Sequence, residues 1–246
     1  MITANRLKLA ERSIHCFMNQ TYKNKELLVI DDGIEDLEPL LNKYIPNQYH
    51  YHRIKKKEGQ NLGYLRNLGL DLAQGNYIAQ WDDDDWYHPD RLKIQINGLS
   101  DGSGACILQA TLMHLSNKEY MNHPYIGWLP AGVPGTIVHR KDHHARYPIE
   151  ARGEDTTFLD HWRKLGLKVL SMDNNYLFIR CFHGNNTWEE VHFSRRIRNN
   201  IKDSVSYFWY KYILHNVYRH NRFQLNDQEL NSISLFFEDS KRLKLF

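Results

Sequence analysis

Four consecutive aspartates, Asp82 to Asp85, constrain this chain more than any other feature. Before them, Tyr77 to Trp81 are mostly β-formers, set off by the turn residues Gly75 and Asn76. After them comes Pro89, a good first helical residue, with Leu92, Ile96 and Leu99 on one face. The expected local structure is therefore a strand, a carboxylate turn and a helix start. Two unit charges about 4 Å apart repel by about 1 kcal/mol even in bulk water, so four crowded carboxylates call for a cation. Hard oxygen ligands select Mg²⁺, Mn²⁺ or Ca²⁺ over zinc. An acidic run by itself is usually a solvated turn. This one lies between a buried-type strand and a helix, flanked by Trp81 and Trp86. That position favours a metal–phosphate site, because ligands of open α/β sheets bind outside the carboxyl ends of the strands.

The rest of the chain supplies such a sheet. Residues 7–20 carry apolar side chains at helical spacing. Glu26 to Ile30 reads as a buried strand, Leu37 to Tyr44 as a helix and Tyr49 to Ile54 as a strand. Leu62 to Ala73 reads as a helix closed by Gly75. Ala105 to Leu112 is a further strand, and residues 115–134 read as irregular around Pro124, Pro130 and Pro134. Gly135 to His139 is a short strand, Phe158 to Leu165 a helix, and Lys168 to Met172 and Tyr176 to Phe182 strands. Alternating β and α in the first half predicts an α/β layered domain with a largely parallel sheet. From about residue 189 the pattern becomes helical, over 189–200, 203–219 and 227–243. Ten Lys/Arg stand there against five Asp/Glu from Val191 onward. The aromatic, basic stretch Tyr207 to Leu214 fits either packing on its own domain or contact with an anionic membrane surface.

A formal net charge of +3 over 246 residues gives no argument for nucleic acid. Cys16, Cys106 and Cys181 are odd in number and far apart with no CxxC pair, which argues against a disulfide framework or zinc finger and fits a reducing, cytoplasmic setting. No apolar stretch approaches the roughly 20 residues of a membrane span, and no signal-peptide pattern is read.

Three further places carry candidate chemistry. Asp31-Asp32-Gly33 closes a strand as the acidic turn does, and could hydrogen-bond a ribose or base; an ordinary Asp-Gly turn reads the same way. Gly153-Glu154-Asp155 opens a helix, where acids serve either as dipole partners or as a fixed proton acceptor. His183 ends a strand in a polar loop and is the best ligand candidate of fourteen histidines, with a structural role as the alternative. Arg66 and Lys55 to Lys57 could offset phosphate charge, the lysines serving more simply as solvated surface.

Taken together, these motifs resemble the family-two glycosyltransferases of the GT-A fold over residues 1–188. The resemblance is carried by Gln20 to Gly33, by Gly63 to Gly69 with Arg66-Asn67, and by Gly75-Asn76-Tyr77-Ile78. Asp82 to Asp85 with His88-Pro89-Asp90-Arg91-Leu92, and Gly153-Glu154-Asp155, complete it. The resemblance implies a GT-A-like, Rossmann-type layered domain with a mostly parallel mixed central sheet over residues 1–188, and a helical, basic extension over 189–246. It implies metal-dependent, inverting transfer of a sugar from a nucleotide-diphosphate donor to an acceptor hydroxyl on a glycan or lipid-linked acceptor, in surface or envelope glycan synthesis. By the same resemblance Asp84 and His183 are metal ligands for Mn²⁺ or Mg²⁺. Asp32, Asp82, Asp83 and Arg66 are donor-binding, and Asp155 is the catalytic base. A non-catalytic nucleotide-sugar- or glycan-binding domain of the same fold is the alternative.

Two departures from the family pattern stand out. Only the end of the first strand is present at Met1 to Arg6, so the expectation is a polypeptide that starts upstream or a weakened sheet. Ala4 replaces a base-stacking Tyr, which leaves base preference open. Residues 113–150 are expected to shape the acceptor side, with Trp128 and Arg140 as candidates.

Overall fold

Strands form where short apolar runs end in polar turns. They are β1 (Ile2–Thr3), β2 (Leu27–Asp31), β3 (Tyr49–Arg53), β4 (Tyr77–Ala79), β5 (Trp86–Tyr87), β6 (Ala105–Leu115), β7 (Tyr125–Arg140), β8 (Leu167–Leu170) and β9 (Phe178–Phe182). The helices are α1 (Leu7–Met18), α2 (Glu38–Tyr44), α3 (Leu62–Leu72), α4 (Arg91–Asn97), α5 (Glu154–Lys164), α6 (Glu190–Ser194), α7 (Ile201–Phe208) and α8 (Asp227–Arg242). This computed structural model describes residues 1–246 except Lys118, Ala151, Arg152, Asn185, Thr187, Trp188 and Phe246. Asn185 of the His183 loop and the expected boundary at residue 188 thus lie outside the described residues.

The first three strands make a parallel sheet in the order β1-β2-β3. The others form a mixed sheet in the order β4-β7-β6-β9-β5, with β8 beside β6. An isolated parallel bridge from Ile2 to Asp82 links the two sheets at the acidic turn. Among the described residues β6 pairs in parallel with β8 and β9 and antiparallel with β7. It is buried at every position but Gln109, as its continuous apolar run demands. The main core joins α1 (Ala10, Ile14, Phe17), the sheet (Val29, Leu112, Ile179) and α8 (Ile233, Phe236). Each large side chain buried this way is worth about 1.5–3 kcal/mol.

The structure corrects the sequence reading in four places. The acidic turn leads first into β5, antiparallel to β9, and only then into a helix that begins at Arg91, two residues after Pro89. Residues 125–134, expected to be irregular, belong to the 16-residue β7. Its prolines are tolerated because the β6 ladder slips there: Leu108 pairs with Val133 and Ala110 with Trp128, so residues 129–132, Pro130 among them, bulge out. Gly132 takes φ 86° in that bulge. The stretch before β9 is a 3₁₀ turn, Met172–Leu177. The expected tail helix over 203–219 is broken into α7, a π-helical turn over Trp209–Ile213 and a 3₁₀ turn over Val217–Arg219.

Beside β1 lies an apolar slot. β1 registers with Ile30 and Asp31 of β2, while β4 pairs with β7. Between β2 and β4 is a cavity of about 550 Å³ lined by Met1, Ile2, Leu27, Leu28, Tyr77 and Ala79 among others. The Met1 ammonium group is drawn into it and donates to the Leu28 carbonyl. Burial there pushes its pKa down to about 6.

Candidate active site

The bridge between the sheets places the acidic turn at the floor of a cleft of about 380 Å³. Asp82, Asp83, Asp84 and Asp85 line it together with Asp32, Arg66, Glu154 and Asp155. The four turn carboxylates have unequal sets of partners, and Asp83 and Asp84 share Arg6. Asp82 lies 3.4 Å from Arg66 Nη2 and accepts from the Gln80 amide at 3.1 Å. Asp83 is 1% exposed, accepts from the Thr3 hydroxyl at 2.7 Å and pairs with Arg6 at 2.6 Å. Asp84 Oδ2 meets Arg6 Nη1 at 3.0 Å, His183 Nε2 at 3.2 Å and the Asn186 amide at 3.3 Å. Asp85 is buried and, among the described residues, accepts only the Cys181 backbone N–H at 2.9 Å.

Their electrostatics follow from this unequal sharing. Burial, then the charge of Asp84, pushes the Asp83 carboxyl up to about 7 despite Arg6. Burial pushes Asp85 well above the usual carboxylate range, and Asp84 and Asp82 add to it. Burial also opposes the Asp84 charge, but the His183 hydrogen bond and Arg6 outweigh it and hold its pKa below the usual value. The turn itself is braced from behind. Arg12, buried in α1, donates to the Asp84 carbonyl at 2.6 Å and to Ser240 of α8 at 3.1 Å. Trp86 donates to Asp239 of α8 at 2.9 Å. Arg91, fully buried, donates to the Gln80 carbonyl at 3.0 Å and lies 4.6 Å over the Tyr87 ring.

Opposite the turn, Gly153 takes φ 80° and starts α5, so Glu154 and Asp155 fall in its first turn. Their side chains part. Glu154 is buried and holds Arg66 Nη1 at 2.7 Å. Asp155 is half-buried in the cleft wall with Thr156 as a neighbour at 3.4 Å. Asp32 lies at the far rim, 3.8 Å from Lys56, and Asp31 beside it is structural, accepting from Tyr51 at 2.6 Å and Gly33 N–H at 2.8 Å.

All seven expected site residues are thus accounted for. Asp32, Asp82, Asp83, Asp84, Arg66 and Asp155 share one cleft, and His183 reaches it through Asp84. Arg140 is elsewhere, tied to the Leu99 and Ser103 carbonyls, and Trp128 lies under Arg222 with its ring 5.3 Å away. Sequence reasoning missed Thr3, Arg6 and Arg12. Thr3 ends β1 and Arg6 follows it, and only the fold, by bridging Ile2 to Asp82, brings them to the acidic turn.

Carboxylate oxygens are the donor type that hard divalent cations take. Among the described residues no three His, Cys, Asp or Glu side chains are placed to hold a metal ion together. Asp84 and His183 stand 3.2 Å apart, with Asp82 and Asp83 adjacent in the turn. Mg²⁺ and Mn²⁺ sites of this type take one or two protein ligands and fill the rest with water and phosphate oxygens. Asp85, buried with no cation partner within ion-pair distance among the described residues, is the observation that fits an added positive charge.

The model of the family described as "Glycosyl transferase family 2" matches residues 1–152. An uncharacterized glycosyltransferase of Rickettsia conorii is 34% identical over 140 residues, 54% of this chain and 22% of that protein. The amylovoran biosynthesis glycosyltransferase AmsB of Erwinia amylovora is 25% identical over 213 residues, 74% of this chain and 69% of that one. The chain spans 22%, 24% and 16% of the length of the first three curated relatives it matches. Among solved structures, S. aureus TarS 1-349 in complex with UDP aligns with TM-score 0.59 at 16% identity, over 98% of this chain and 80% of that one. The mannosyltransferase PcManGT from Pyrobaculum calidifontis, in complex with GDP-Man and Mn²⁺, aligns with TM-score 0.56 at 14% identity, over 98% and 73%. At these identities the structural matches establish a shared fold.

Proposed function

The chain belongs to glycosyl transferase family 2, and from that premise we propose that it moves a sugar from a nucleotide-diphosphate donor to an acceptor hydroxyl, with inversion, in glycan synthesis. The observation that carries this reading is the convergence of Asp82 to Asp85, Asp155, Arg66 and Asp32 on one cleft from four separate segments. Asp32 is assigned to the nucleoside, and Arg66 with Arg6 to the diphosphate charge. Asp84 and His183 are assigned to a divalent ion, Mn²⁺ or Mg²⁺. When bound there, such an ion supplies positive charge against the departing diphosphate. Asp155 takes the acceptor's proton as that oxygen bonds to the anomeric carbon, while the carbon–phosphate-oxygen bond breaks and its electrons leave with the nucleotide. A half-buried carboxylate with no ion-pair partner among the described residues suits that base role.

Further support comes from the neighbours. TarS was solved with UDP and PcManGT with GDP-Man and Mn²⁺, and AmsB is described by amylovoran biosynthesis. We also propose that residues 1–188 carry the chemistry and that the extension braces the acidic turn through α8. No helix among the described residues is long and apolar enough to cross a membrane. All three cysteines are buried and free, which supports a reducing, cytoplasmic setting.

The test is Asp155→Asn, assayed with Mn²⁺ and a panel of nucleotide sugars, reading donor binding and transfer separately. Donor affinity should hold within a few-fold while transfer falls by about 10²–10⁴, the range for a general base. Unchanged transfer would refute the base assignment. Donor binding without transfer in the unaltered chain, across acceptors, would favour the non-catalytic alternative.

A further inference from the structure

Helix α7 and the π-helical turn after it are inside out. The inward face is polar: Asp203 is buried and bonded to Arg222 at 2.6 and 3.1 Å, and Tyr207 meets the Tyr120 hydroxyl at 3.2 Å. The outward face carries Ile201, Val205, Phe208, Trp209, Tyr212 and Ile213, each between 50% and 85% exposed. Their spacing puts them on one side of the rod. A helix packing its own domain does the reverse. Large exposed apolar patches mark interaction sites.

What rims this patch identifies the partner. Between residues 195 and 222 stand seven Lys/Arg and a single acidic residue; Arg222 is buried against that residue, Asp203, which leaves six Lys/Arg with no acid of this stretch outside the core. Arg195, Arg198, Lys202 and Arg219 are exposed. Lys211 runs along the same helix, with its ammonium held by Glu119 at 3.1 Å and the Tyr207 hydroxyl at 3.0 Å. Trp and Tyr beside a basic rim match the headgroup level of a bilayer, where rings sit half in the acyl boundary and cations meet lipid phosphates. A protein partner with an apolar groove would account for the aromatics, but it would not by itself call for a rim so strongly basic.

We propose that this face docks on an anionic lipid surface, with the helix lying in the interface plane and not spanning it. The site of attachment begins where the cleft ends: Phe193 of α6 lines the cleft, and the chain passes through Arg195–Ile197 into α7. Docking there holds the cleft beside the membrane surface. Attachment at this face does not depend on which sugar is moved, or on whether any is.

The test uses the full chain with two vesicle types, phosphatidylcholine alone and an equal mixture with phosphatidylglycerol, read by co-sedimentation and by Trp quenching with brominated lipid. Binding to the mixed vesicles is expected, weakened by salt, with little binding to the neutral ones. Phe208→Glu with Tyr212→Glu should cut partitioning by more than about tenfold while leaving the melting temperature unchanged, since both side chains are exposed. Lys202→Gln and Arg219→Gln should each cost about fivefold, the value of one basic group near an anionic surface. Trp209→Phe should remove most of the lipid-dependent quenching. Equal sedimentation with both vesicle types, or no effect of the Glu pair, would overturn the proposal. So would lipid-free self-association abolished by the Glu pair in a chain that ignores vesicles; that result would assign the face to a second copy.

Discussion

Asp203 in the tail and Asp83 and Asp85 in the acidic turn answer burial in opposite ways. Asp203, inside the tail, has its own guanidinium: Arg222 donates twice to Oδ2, and Asn200 adds a third donor at 2.7 Å. Burial opposes its charge, but Arg222 outweighs that and lowers its pKa below the usual value. At the acidic turn Asp82, Asp83 and Asp84 share Arg6, Arg66 and His183, Asp85 has no ion-pair partner among the described residues, and Arg66 is already committed to Glu154. Asp83 and Asp85 are accordingly pushed up. A balanced carboxylate is part of the scaffold. A surplus of them, with Arg12 on the Asp84 carbonyl and Thr3 on the Asp83 carboxylate, is what an added cation would relieve.

The sharpest way to break this comparison is to remove one charge from each side. Asp203→Asn leaves the Arg222 guanidinium buried without its counter-ion and should cost about 3–5 kcal/mol of folding stability, read by denaturant unfolding at pH 7. The same pair sets an acid limb. Its folded pKa is depressed, so its stabilisation is present above the unfolded value of about 3.9 and is lost as pH falls through the lower folded value. In Asp203→Asn that limb should flatten; an unchanged acid limb would show that the pair is not what stabilises the tail.

A middle-sized effect is expected at the slot between β2 and β4. Four or five apolar β-forming residues fused ahead of Met1 would fill the 550 Å³ cavity and replace the buried ammonium. Each large side chain buried gains about 1.5–3 kcal/mol, against about 1–2 kcal/mol of backbone ordering. Thermal melting should rise by roughly 2–4 °C per kcal/mol retained, and a Gly/Ser extension of equal length should not raise it. Because β1 carries Thr3 and leads to Arg6, such an extension also firms the side of the turn that holds Asp83. An apolar extension that leaves the melting curve unmoved would mean that the slot does not accept a strand.

The smallest effect separates the two sites most cleanly. Asp84→Asn removes a mutually repelling charge but also a partner of Arg6, so the metal-free fold should shift by less than about 1 kcal/mol. A loss like that of Asp203→Asn would place Asp84 with the scaffold and end the contrast.

Much of this was legible in order along the chain. The strand–acid-turn motif, the Asp32 strand end, Arg66 on its helix and the Gly153-Glu154-Asp155 helix start each have a local pattern, and the fold brings them to one cleft. What was not legible depends on distance. Arg6 and Arg12 find the turn across 78 and 72 residues, and nothing near them in sequence says so. β7 was hidden because its prolines read as breakers, whereas a slipped ladder excuses them. Glu154 and Asp155 are adjacent and identical in charge, and only the helix geometry sends one to Arg66 and leaves the other facing the cleft.

The central claim is that the turn's excess carboxylates hold a divalent ion against a nucleotide's diphosphate. Titration calorimetry of UDP and of GDP with and without Mn²⁺, on the unaltered chain and on Asp84→Asn, tests it most directly. The account predicts that one nucleotide binds at least about tenfold more tightly with Mn²⁺, and that Asp84→Asn abolishes the gain while still folding. Equal affinity with and without the metal, or a gain that survives Asp84→Asn, would contradict it.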